Sequence, residues 1–91
     1  MNNNFYTCPC CGYKSLESES PGSFEICSIC YWEDDNVQYD DPHYEGGANE
    51  VSLYQAQRNF LEFGAANESY LQSVRKPTVE DIKDSNFQII K

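Results

Sequence analysis

Two matched Cys-x-x-Cys segments, Cys8-Pro9-Cys10-Cys11 and Cys27-Ser28-Ile29-Cys30, stand fifteen residues apart near the start of this chain. That spacing belongs to a four-cysteine metal site. A tetrahedral Zn²⁺ takes four thiolates at about 2.3 Å, and one tight turn presents two of them from a single Cys-x-x-Cys. Pro9 stiffens the first turn, and Gly12 supplies the backbone freedom a turn needs after its second ligand. At 91 residues the chain is of a size at which a structural metal supplies stability that a small core cannot. Cys8, Cys11, Cys27 and Cys30 are therefore the candidate ligands of one structural Zn²⁺.

Three other uses of four cysteines compete. Two disulfides would suit an oxidising compartment, but Met1–Tyr6 has neither the basic nor the apolar stretch of a secretory leader, so a reducing cytoplasm is expected. A redox dithiol expects one pair beside a βαβ pattern, and none is visible. Iron shares the Cys₄ ligand set and is the nearest rival to zinc. Cys10, the fifth cysteine, could replace Cys11 through a tighter Cys-x-Cys pairing. A metal-activated thiol is its functional reading; with no base beside it in sequence, a small turn side chain is the preferred one.

Charge is the second constraint. Fifteen acids stand against six bases, a formal charge of −9, to which four thiolates around one Zn²⁺ add about two more negative charges. From Glu17 to Glu50 there are ten acids and no Lys or Arg. That lacks the basic footprint of a nucleic-acid-binding ribbon, and fits either a solubilising surface or a patch for a basic partner. The candidate partner-binding residues are Glu33, Asp34, Asp35, Asp40, Asp41 and Glu45. The alternating Asp spacing of an EF-hand is missing, which argues against Ca²⁺. His43, the one histidine, has no positioned nucleophile beside it and reads as a hydrogen-bonding side chain.

The expected architecture is a single small α+β domain over residues 1–91: a zinc-ribbon-like β-hairpin carrying the Cys₄ site, packed against one or two C-terminal helices. Residues 5–32 form the ribbon-like half. Short strands are expected at 5–7 and 13–16, and Phe24 and Ile26 share one face of the alternating run 23–27. Tyr31 and Trp32 are placed to cover the site. Residues 33–50 read as an acidic, irregular loop. Residues 51–77 are the helical half. Ser52 and Gln55 make a capping box, Leu53, Ala56, Phe60 and Phe63 a stripe, and Gly64 a stop. A second helix is expected over about 67–74, ahead of Pro77. In the tail, 78–91, Thr78 to Asp81 has a capping pattern, and Phe87–Ile90 could dock back or fray. No apolar run is long enough to span a membrane.

Cys8-Pro9-Cys10-Cys11-Gly12-Tyr13, the run Glu25-Ile26-Cys27-Ser28-Ile29-Cys30-Tyr31-Trp32-Glu33-Asp34-Asp35, and the run Glu45-Gly46-Gly47-Ala48-Asn49 leading to Ser52-Leu53 together resemble the small bacterial cysteine-rich CPCC proteins. The resemblance extends from about Cys8 to Pro77. It implies a metal at Cys8, Cys11, Cys27 and Cys30 and a bacterial cytosolic protein, and brings no established activity. The function expected is a non-enzymatic acidic protein-binding module, most specifically an immunity or antitoxin protein that offers carboxylates to a basic toxin such as a nuclease. A redox or electron-transfer protein, using the Cys₄ site or Cys10, is the alternative.

Overall fold

The computed structural model describes residues 5–91; of the leader reading on Met1–Tyr6, Met1–Asn4 lie outside them. The elements in chain order are β1 (Tyr6–Thr7), β2 (Lys14–Leu16), α1 (Asn36–Asp40), α2 (Leu53–Phe63) and a 3₁₀ turn, Glu68–Tyr70. It is a small α+β fold built around a four-cysteine cluster. The antiparallel pair β1–β2 wraps the first Cys-x-x-Cys turn. Ser15 is an extra residue in that pair, since Tyr6 faces Leu16 while Thr7 faces Lys14. Such a bulge re-aims a side chain, and here it turns the Ser15 hydroxyl toward the cysteines.

Strand pairing departs from the expected single hairpin between the turns. Residues 23–26 pair forward with 33–34 around the second turn: Ile26 bridges Glu33, and the Phe24 amide donates to the Asp34 carbonyl at 2.9 Å. Each Cys-x-x-Cys thus sits at the tip of its own small hairpin. Phe24 and Ile26 both remain exposed.

Helix α2 starts where Ser52 caps the Gln55 amide at 3.1 Å and stops at Gly64, whose φ is +88°. The other half of the expected capping box does not form, because the Gln55 side chain reaches along the helix to Asn59. Leu53 and Ala56 are buried, while Phe60 and Phe63 are only half-buried. The face toward the cysteines also carries Gln57, whose amide donates to the Pro9 carbonyl at 2.8 Å, and Phe60 meets the edge of Tyr13. The second expected helix contracts to the 3₁₀ turn. Its flanking backbone is engaged by the second cysteine turn, with the Ala66 amide on the Cys30 carbonyl and the Arg75 amide on the Ser28 carbonyl.

The acidic segment is more ordered than an irregular loop. Asp35 caps α1, accepting from the Val37 and Gln38 amides. Buried Gln38 and Asn49 then tie the segment shut. Asn49 exchanges two 2.8 Å hydrogen bonds with the Glu33 backbone and donates to the Gln38 side chain, which itself donates to the Tyr44 and Val51 carbonyls. Gly47 lets the chain pass closely here: a Cβ on it would lie 2.5 Å from an Asp35 carboxylate oxygen.

The tail docks. Asp84 donates its amide to the Gly12 carbonyl, Lys14 donates to Ile82, and Ile90 donates to the Gln57 side chain at 2.7 Å. Gln57 thereby joins the tail to the first cysteine turn through α2. Among the described residues no helix is long and apolar enough to cross a membrane.

Candidate metal centre

The two cysteine turns are built alike. The Cys8 amide donates to the Tyr13 carbonyl and the Gly12 amide to the Cys8 carbonyl; in the second turn, Cys27 donates to Trp32 and Tyr31 to Cys27, all at 2.8–3.0 Å. In both, the residue after the second cysteine is left-handed, Gly12 at φ +80° and Tyr31 at φ +70°. The repeat Cys-x-x-Cys-x-aromatic, visible in Cys8–Tyr13 and Cys27–Trp32, therefore folds twice into one shape.

These turns bring the sulfurs of Cys8, Cys11, Cys27 and Cys30 within 4.8 Å of one another, all buried. The Cys8–Cys30 separation is 3.6 Å and the Cys11–Cys27 separation 3.8 Å. A tetrahedron with metal–sulfur bonds of about 2.3 Å has edges of about 3.8 Å, so the cluster has the dimensions of one metal ion. All five cysteines are free thiols, and the sulfur separations exceed by far the roughly 2.05 Å of a disulfide. The donor set fits a thiophilic metal.

Burial pushes the Cys8 and Cys30 thiols well above their ordinary pKa, while hydrogen bonds from Cys11, Cys30 and Cys8, with a further one from Ser15, hold Cys27 far below it. Sulfurs crowded this closely and buried resist ionising side by side, and a dication is what lets them do so together. The Ser15 hydroxyl at 2.9 Å and the Ile29 amide at 3.3 Å both point at Cys27 Sγ, orienting it. Ser15 was not legible as a neighbour of the site, because only the bulge places it there. Trp32, 1% exposed, belongs to the same buried cluster, and Tyr31 is held against Tyr70. Cys10 is buried beside the quartet.

The six candidate partner-binding acids divide. Asp34 and Asp35 are buried and face inward, which corrects the expectation for them. Asp34 accepts from the Ser20 and Ser23 hydroxyls and the Ser23 amide, and Asp35 from the amides of α1 and of Ala48. Glu33 is half-buried, whereas Asp40, Asp41 and Glu45 are exposed, as is Glu50. His43 packs its ring on Tyr54, 4.6 Å between centroids, away from the cysteines.

Fold and site together define a small α+β protein with two cysteine knuckles closing on one metal-sized cluster. Residues 6–81 match the model of the cysteine-rich CPCC family, and the chain belongs to that family. No curated protein matches it.

Proposed function

We propose that this chain is a non-enzymatic, zinc-stabilised acidic module that binds a basic protein, and in its most specific form a bacterial cytosolic immunity or antitoxin protein directed at a basic toxin such as a nuclease. The observation that carries the reading is the frame beneath the acidic segment. Asp40, Asp41, Glu45 and Glu50 stand exposed on backbone fixed by Gln38, Asn49 and Asp35. Carboxylates held in place lose little freedom on binding, so more of their attraction appears as affinity. The structural role of the zinc follows from its ligands, since four cysteines leave no open coordination position for substrate. Redox use of Cys10 is disfavoured by its burial, which also pushes its pKa up and opposes thiolate attack.

The test has two parts. Elemental analysis and native mass spectrometry of the purified protein should give one zinc per chain and a colourless solution; iron would move the reading to electron transfer. Pull-down against a basic toxin encoded beside the gene should show binding that weakens with salt and with combined Asp40→Asn, Asp41→Asn and Glu45→Gln. Binding indifferent to both, or absent, overturns the reading.

A further inference from the structure

The two cysteine turns share a backbone shape but not a covering. Between Cys8 and Cys11, both Pro9 and Cys10 are buried. The Gln57 side chain of α2 holds the Pro9 carbonyl at 2.8 Å, and the Phe87 ring comes within 2.5 Å of where a Cβ on Gly12 would stand. Between Cys27 and Cys30, Ile29 is buried but Ser28 is exposed. A cavity of about 260 Å³ lies against this second turn, with Ser15, Ser28 and Arg75 in its wall, and the Arg75 amide donates to the Ser28 carbonyl at 3.2 Å. Ser15 is the one residue of that wall hydrogen-bonded to a sulfur of the quartet: its hydroxyl lies 2.9 Å from Cys27 Sγ.

We infer that the metal-loaded cluster opens at Cys27, the sulfur that small neutral electrophiles reach first, and that Ser15 is the positioning residue restraining it. A metal-bound thiolate carries no proton, so the Ser15 hydroxyl and the Ile29 amide, at 3.3 Å, both donate to Cys27. Each engages a sulfur lone pair, and hydrogen bonds to an anionic acceptor are the strong ones. A lone pair held in this way is less free to attack carbon. Ser15 also forms the cavity wall behind which the Cys27 sulfur lies. Alkylation at Cys27 turns its thiolate into a neutral thioether, and the thiolate is the form that binds the metal. Three cysteines are then left to hold the ion. None of this depends on the acidic segment or on what it binds.

The test is limited labelling of the zinc-loaded full chain with N-ethylmaleimide, read by peptide mass mapping alongside zinc release to a chromogenic chelator. The reagent adds across its double bond, one carbon taking the sulfur's electron pair and the other a proton from water. Cys27 should label first of the five cysteines, with zinc released at the same rate. Ser15→Ala should speed labelling of Cys27 at least about fivefold, the scale of one lost hydrogen bond. Ser15→Thr keeps the hydroxyl and should stay near the native rate, as should Ser28→Ala, whose side chain bonds no sulfur. First labelling at any other cysteine, labelling of all five together, or equal rates in the native and Ser15→Ala chains each overturn the assignment. Should Ser15→Ala fail to hold zinc, the order of labelling in the native chain and the rate in Ser15→Thr decide alone.

Discussion

Gly12 and Tyr31 occupy the same place in the two cysteine turns, and only one of them is a glycine. A left-handed backbone costs a residue with a Cβ about 1–2 kcal/mol, so Tyr31 carries strain that Gly12 avoids. The Tyr31–Tyr70 ring contact, 5.1 Å between centroids, offsets it, such pairs contributing about 0.5–1.5 kcal/mol. Tyr31→Asn should therefore leave stability nearly unchanged in the native chain. In a Tyr70→Ala background, where the compensation is gone, the same change should raise stability by about 0.5–1 kcal/mol, since asparagine tolerates the left-handed region. Gly12→Ala should go the other way. It adds the same strain and places a Cβ 2.5 Å from the Phe87 ring, a loss of about 2 kcal/mol or more. Urea unfolding of the metal-loaded proteins measures all three, and equal responses at the two positions would count against the equivalence of the turns.

Between the knuckles and α2, the acidic segment is held by side chains rather than by regular structure. Asn49, 2% exposed, satisfies both backbone groups of Glu33 and one acceptor of Gln38. Asn49→Ala removes the partners of the Glu33 backbone groups, while Gln38 Oε1 keeps the Asn49 backbone amide, at about 1–3 kcal/mol for each group that stays dry. Amides of residues 35–50 should then exchange with solvent much faster, while those of Cys27–Trp32 keep their protection. Loss of protection in both regions at once would show that segment and knuckle open as one unit. The same segment marks where sequence reasoning thins out. The cysteine quartet was legible because its spacing has one economical geometry, and α2 because Ser52 and Gly64 punctuate it. Asp35 as a helix cap and Asp34 as an acceptor for serines are indistinguishable in sequence from surface acids; only the close pass at Gly47 and the burial of Gln38 reveal them. Periodicity likewise placed Leu53 and Ala56 but not Gln57, a polar residue buried because it joins two segments distant in sequence.

Across the whole molecule, the metal cluster and the docked tail share the first knuckle, and acid should separate their contributions. Chelation of the metal should change the emission of Trp32, the single tryptophan, and abolish the fold, because the buried cluster contains all five cysteines; a chelated chain that keeps its spectrum would remove the structural role. The tail depends on Asp84. Its carboxylate accepts from the Thr7 hydroxyl at 2.6 Å and from the Asn86 amide, and these bonds, the hydroxyl first, hold its pKa below the usual carboxylate value. A carboxylate depressed in the folded state binds its proton more readily once released. Its contribution to docking is therefore complete above the unfolded pKa of about 3.9 and is lost as pH falls through the lower folded value. Thr7→Val removes the main donor and should raise the pH at which the tail detaches. The Lys14 amide, bonded to Ile82, reports that step by its chemical shift, and the Ala66 amide, bonded to Cys30 in the second knuckle, reports metal loss. In Thr7→Val the Lys14 midpoint should move to higher pH while the Ala66 midpoint stays where it is. If the two midpoints move together, tail and metal site are one cooperative unit, and the tail is part of the fold around the cysteines rather than a strap laid across it.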